Sequence, residues 1–143
     1  MYYIDTSVLV AYYCPEPISE AVERFLRRVE RPAISSLTEV ELVSAIARKV
    51  RDRELKKEDG NRILNQYKLH RQDAILKWIV LGEIHFQTAF SILSGFSLPL
   101  KALDALHLSV AMAADLIIVS ADGQLLKAAK ILGIKSEAMG PGV

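Results

Sequence analysis

Apolar residues in this chain fall into short aliphatic runs separated by stretches in which they recur every three or four positions. The runs 1–4, 33–35, 75–81 and 116–119 have the length of strands, and the unbroken last one suits a parallel sheet buried on both faces. Helical spacing fills the intervals. Val22, Phe25, Leu26 and Val29 follow Ser19, a suitable N-cap, and Pro32 ends that helix. Residues 8–13 predict one or two helical turns, closed by Pro15-Glu16-Pro17. Val40, Val43, Ile46, Ala47 and Val50 predict a helix over 37–51, and Ile63 and Tyr67 belong to another over 57–71. Phe86, Ala89, Phe90 and Leu93 form one stripe of a helix over 83–93 and are predicted to face the core. Pro99 precedes a helix over 102–113. A final helix over 124–132 meets Gly133 as its C-cap, and an edge strand is expected to start at Ile134. Short strands alternating with helices predict the α/β class, with a mostly parallel central sheet wrapped by helices. One domain is expected over 1–138, with 139–143 a flexible tail that has nothing to pack.

Composition narrows this picture. A length of 143 residues suits one core, and 51% hydrophobic residues suffice to fill it; with aromatics at 7%, the filling is aliphatic. The single cysteine, Cys14, excludes an intrachain disulfide or a multi-cysteine metal site and reads as a small buried hydrophobe. No basic segment precedes an apolar run near Met1, Asp5 interrupts any signal-like stretch, and residues 8–13 are too few to span a bilayer. A cytoplasmic protein without a membrane partner is expected. The net charge of +1 is uninformative, but its distribution is not: nine Lys or Arg stand against four acids from Arg48 to Arg71, a local +5 that leaves −4 elsewhere. Such a segment could draw a polyanion towards an acidic site, or could simply be a solvated helix pair.

The acids carry the candidate chemistry. In open α/β sheets ligands bind beyond the carboxyl ends of the strands. Asp5 follows the first strand directly, and Asp122 lies three residues after Val119. Asp104 stands among apolar neighbours in Leu103-Asp104-Ala105-Leu106, and Glu41 in Val40-Glu41-Leu42-Val43. A desolvated carboxylate costs several kcal/mol unless paired, and coordination of a cation is one remedy. Each acid also has a plainer role open to it. Asp104 and Asp122 could cap helices, Asp5 could close a turn, and Glu41 could complete a capping box with Thr38, as Glu39 could with Ser36. Four acids facing one rim would instead call for a cation, and carboxylate oxygens suit Mg²⁺ or Mn²⁺ rather than zinc. Such a cluster suits hydrolysis of a phosphodiester. His107, three residues after Asp104, is placed to hydrogen-bond it or to pack in the core, while His70 and His85 read as superficial.

Four segments in order resemble the PIN-domain family, and in particular the VapC toxins of toxin–antitoxin pairs: Tyr3-Ile4-Asp5-Thr6-Ser7-Val8-Leu9, Ser36-Leu37-Thr38-Glu39-Val40-Glu41-Leu42, Leu103-Asp104-Ala105-Leu106-His107-Leu108-Ser109-Val110-Ala111 and Val119-Ser120-Ala121-Asp122-Gly123-Gln124-Leu125. The resemblance implies a three-layer sandwich and a Mg²⁺-dependent endoribonuclease, with Mn²⁺ able to substitute. It implies that Asp5 and Asp104 are the main metal ligands, that Glu41 and Asp122 complete the site, and that Thr6 and Ser120 hydrogen-bond within it. It further implies an RNA substrate, a small DNA-binding antitoxin as partner, and a homodimer. Ser120 stands where the family often has threonine, and Glu39 competes with Glu41 for the second acid. Two alternatives within the family are an RNA-processing nuclease outside any toxin–antitoxin pair and a catalytically silent binding module, though the latter has no need of four acids. A haloacid-dehalogenase-like phosphatase would need an acid two residues after Asp5, where this chain has Ser7.

Overall fold

The structure is a computed structural model that describes residues 1–140. Its elements in chain order are β1 (Tyr2–Ile4), α1 (Thr6–Tyr13), α2 (Ser19–Arg28), β2 (Ala33–Ser35), α3 (Ser36–Arg51), α4 (Lys57–Gln72), β3 (Lys77–Ile79), α5 (Glu83–Ser94), α6 (Ala102–Ala113), β4 (Ile117–Ser120), α7 (Gly123–Ile131) and β5 (Ser136–Ala138). The five strands form one parallel sheet in the order β3-β2-β1-β4-β5. Ile4 aligns with Val119, and Tyr3 with both Ile118 and Ala33.

Side chains alternate across a strand, and the sheet therefore has two buried faces. Ile4, Ile34 and Val119 point to one, where they pack with α1 to α4 through Val8, Leu9, Val22, Phe25, Leu42, Ile46 and Tyr67. Tyr3, Ala33 and Ile118 point to the other, against α6 and α7 through Leu108, Val110, Leu125 and Ala128. Helices on both faces make three layers, and each fully buried aliphatic side chain contributes about 1.5–3 kcal/mol to holding them together. Because the strands are parallel, their carboxyl ends share one rim. Helices that follow a strand begin there, and α6, which leads into β4, does so too.

Several sequence expectations are corrected. The first helix starts at Thr6 rather than residue 8, because the Asp5 side chain caps it by accepting from Val8 N at 3.1 Å. Ile18, not Ser19, precedes α2; the Ser19 hydroxyl instead ties the Pro15-Glu16-Pro17 loop, accepting from Glu16 N at 2.8 Å and donating to Cys14 O. The strand expected over 75–81 shrinks to Lys77–Ile79, and the last strand begins at Ser136. The α5 stripe is divided: Ala89 and Leu93 pack towards the core as expected, and the two phenylalanines do not. Phe86 and Phe90 are exposed, at 57% and 73%, while His85 and Ala89 face inward, so His85 is not superficial. Ala89 packs on Ala105 and Leu106 of α6. His85 completes the turn by accepting from Gly82 N at 2.9 Å. Met139, assigned to the tail on sequence, is buried, and its N–H donates to Ser120 O at 2.8 Å; residues 141–143 of that segment lie outside the described residues.

Candidate active site

Asp5 stands at the end of the central strand β1 and is only 4% exposed. Burial raises its carboxyl above the usual range, and hydrogen bonds from Ser120, Ser7 and Val8 N–H pull it partly back. Two hydroxyls hold it, one at each oxygen. Ser7 Oγ donates to Oδ1 at 2.6 Å and accepts from Ala121 N at 3.0 Å. Ser120 Oγ donates to Oδ2 and accepts from Asp122 N at 2.9 Å. Both hydroxyls thus anchor the Asp5 carboxylate to the turn between β4 and α7. Asp122 N-caps α7, accepting from Gln124 N at 2.9 Å and Leu125 N at 3.3 Å through one oxygen, with its side chain at the surface.

Glu41 lies in the second turn of α3, half-buried. Its Oε1 accepts from Thr6 Oγ1 at 2.7 Å and from His107 Nε2 at 2.5 Å. Burial would raise this carboxyl, but the hydrogen bond and charge of His107, with the Thr6 hydroxyl, outweigh it and hold Glu41 below the usual range. A carboxylate only accepts, so His107 Nε2 carries a proton. Its Nδ1 meets the Tyr3 hydroxyl at 2.6 Å, and that hydroxyl lies 2.9 Å from Ser35 Oγ and 3.2 Å from Thr38 Oγ1. A buried polar chain therefore runs from the start of α3 through β1 and α6 back to Glu41.

Asp104 occupies the first turn of α6 and makes one long contact, from Lys101 N at 3.4 Å. His107 binds Glu41, Thr6 and Tyr3 rather than Asp104. Residues three apart share a helix face, so Asp104 lies one turn before the imidazole that touches Glu41. Leu103 and Glu41 line one hollow of about 290 Å³ together with Thr6. The structure thus ties Asp5 to the Asp122 turn and Glu41 to Thr6 and His107, and places Asp104 one helical turn before His107. Glu39 is not the second acid: it accepts from Tyr67 at 3.1 Å and Arg71 at 2.8 Å across α4. The capping box of α3 is Ser35 with Thr38, so neither glutamate has the capping role considered for it.

Sequence reading missed Ser7, Tyr3 and the partner of His107. Ser7, two residues after Asp5 at a helix start, was within reach of the hydroxyl pattern; the Tyr3–His107 pair, 104 residues apart, was not.

The PIN-domain family model matches residues 2–131. The chain belongs to the PIN-domain family. A search of curated proteins found no match to this PIN domain. Among solved structures it is similar to FitAcB from Neisseria gonorrhoeae, with 19% identity and a TM-score of 0.72 over 99% of this chain and 98% of that one. It is also similar to VapC20 of Mycobacterium tuberculosis, described as a sarcin-ricin loop cleaving toxin, with 13% identity and a TM-score of 0.72 over 90% and 95% of the two chains. A toxin–antitoxin complex from Klebsiella pneumoniae matches at 17% identity and a TM-score of 0.64, over 99% and 98%. At these identities the likeness is one of fold.

PIN-domain nucleases generally use a divalent cation, and the donors of this PIN domain suit one. All are carboxylate and hydroxyl oxygens, and among the described residues no cationic side chain is bonded to the buried Asp5 carboxylate. Among the described residues no three His, Cys, Asp or Glu side chains converge closely enough to enclose an ion by themselves. Any ion bound there would complete its shell with water.

Proposed function

We propose that this PIN domain is a Mg²⁺- or Mn²⁺-dependent endoribonuclease and the toxin of a toxin–antitoxin pair. The observation that carries the reading is Asp5: an almost fully buried carboxylate, clamped by two hydroxyls at the carboxyl end of the central strand. A protein without use for a cation there would gain by replacing the buried charge with a neutral side chain.

In this reading Asp5 and Asp104 bind the ion, and Glu41 and Asp122 complete the site directly or through water. The ion supplies Lewis-acid chemistry and charge neutralisation at a phosphodiester. Ser7 and Ser120 fix the Asp5 oxygens. Thr6 and His107 keep Glu41 ionised and oriented, so that its other oxygen can accept a hydrogen bond from the attacking water. The protein works in the cytoplasm, and no helix among its described residues is long and apolar enough to cross a membrane. A small antitoxin that binds DNA is its partner, in keeping with the toxin–antitoxin complex among the structural relatives. It forms a homodimer, for which the exposed Phe86 and Phe90 offer an apolar face.

The test is cleavage of RNA by the purified protein with Mg²⁺ or Mn²⁺, with and without a chelator. We expect Asp5→Asn and Asp104→Asn each to lower cleavage by at least about a hundredfold while leaving the circular dichroism spectrum unchanged. Metal-independent cleavage, or full activity in either variant, would refute the assignment. Suppression of activity by the product of an adjacent small reading frame separates a toxin from an RNA-processing nuclease.

A further inference from the structure

Resting on the nuclease reading, we propose that Arg48 and Arg51 form the phosphate-binding wall of a groove along which single-stranded RNA reaches the carboxylates. Glu41, Ser44, Ala45, Arg48 and Arg51 recur at helical spacing on α3 and share one face. Glu41, Arg48 and Arg51 line the hollow of about 290 Å³ whose other walls are Thr6 and Leu103. A second hollow, of about 410 Å³, shares Thr6, Ala45 and Arg48 with the first and continues to Ser7, whose hydroxyl holds Asp5, and to Ala121, whose N–H donates to that hydroxyl. The two form one path from Glu41 to Ser7, the residue whose hydroxyl holds Asp5, with Arg48 at their junction.

Two cations of this path are free; Lys49, which also lines the second hollow, is held by Glu16. Arg48 and Arg51 have no acidic partner among the described residues, whereas Lys49 pairs with Glu16 and Glu54, Arg62 with Asp59, and Arg71 with Glu39. Basic residues at a helix C-terminus complement its dipole, but that role asks nothing of which face they occupy. A guanidinium fork left unpaired beside an acidic site matches phosphate oxygens. Arg48 and Arg51 lie seven and ten residues after Glu41, roughly 10 and 15 Å along the helix axis. That distance suits phosphates flanking the scissile one rather than the reacting group. Asp5 lies recessed, so the reacting phosphate must descend to it. A single strand can bend in this way, whereas an A-form duplex presents a fixed shape. The remaining basic residues near the α3–α4 turn, Arg53 and Lys56, are exposed and line neither hollow.

The experiment measures fluorescence anisotropy of a labelled single-stranded RNA of mixed sequence, with the full chain in chelator so that no cleavage occurs. Arg48→Ala with Arg51→Ala is compared with the charge-matched Arg53→Ala with Lys56→Ala, each checked for fold by circular dichroism. We expect the groove pair to weaken binding roughly tenfold and to flatten the plot of log affinity against log salt by about 1.4, two single-strand phosphate contacts. The control pair should change both by less than half as much. Equal effects from the two pairs, no effect from the groove pair, or no RNA binding by the wild type would overturn the proposal, as would competition by an RNA duplex as strong as that by the single strand. Cleavage assays on the same proteins keep the two claims apart. Groove-dependent binding without Mn²⁺-dependent cleavage would sink the nuclease reading alone. Cleavage with unchanged KM in the groove variant would sink the groove alone.

Discussion

Beneath the β4–α7 turn, the Asp5 side chain carries a charge that burial opposes and three hydrogen bonds only partly offset. A carboxyl whose folded pKa lies above its unfolded value favours folding at low pH, and that advantage disappears as pH rises through the folded pKa. Asp5→Asn in metal-free buffer is therefore expected to raise Tm at neutral pH, with the gain shrinking as pH falls to the usual carboxylate range. Added Mn²⁺ should stabilise the wild type and not the variant. Differential scanning calorimetry across pH checks both; a Tm lowered at neutral pH would contradict the account. The Tyr3 hydroxyl gives a second prediction. Tyr3→Phe leaves His107 Nδ1 buried without a partner, while Ser35 and Thr38 keep their mutual contact at 3.1 Å. A loss of about 1–3 kcal/mol in urea unfolding is expected. The place of Asp5 at the end of a strand, and of Asp122 in the turn after β4, was legible in the sequence because strand ends mark them. The side chains that hold them were not, since Ser120 and Asp5 lie 115 residues apart and no local pattern joins them.

Among the elements, the α3 helix shows how burial assigns roles that spacing leaves open. Glu39 and Glu41 are two residues apart and so point to different sides: Glu41 to the carboxylate rim, Glu39 to α4. There Arg71 pairs with Glu39 at 2.8 Å and stacks over Trp78 at 4.0 Å, joining α3, α4 and β3. Both partners of that pair are about one-third exposed, so the ion pair is screened and the stacking matters as much. Arg71→Ala should cost about 1–2 kcal/mol in urea unfolding, with RNA cleavage retained; loss of cleavage in a folded protein would tie this corner to the site. Helix α5 was misread for a physical reason. Periodicity finds an apolar stripe but not its edge: Ala89 and Leu93 pack on α6 as the stripe implies, while Phe86 and Phe90, on its flank, stay at the surface.

For the whole molecule, alternation of strands and helices was enough to indicate the parallel sheet, and parallel strands place every strand end on one rim. Two features escaped that reasoning. The basic segment from Arg48 to Arg71 proves to be divided between groove, ion pairs and open surface, and the face left uncovered by α5 carries Phe86 and Phe90. Solvent exposure of two aromatic rings one turn apart suits self-association. Light scattering is expected to show a dimer for the wild type and a shift towards monomer for Phe90→Glu; a wild type that stays monomeric at high concentration would refute the dimer. The central claim is the proposal that Asp5, Glu41, Asp104 and Asp122 together hold a cation. A crystal soaked in Mn²⁺ and read by anomalous diffraction tests it most directly. A peak bounded by Asp5, Asp104 and Glu41 is the predicted result, and Mn²⁺ bound only elsewhere, or not at all, would contradict it.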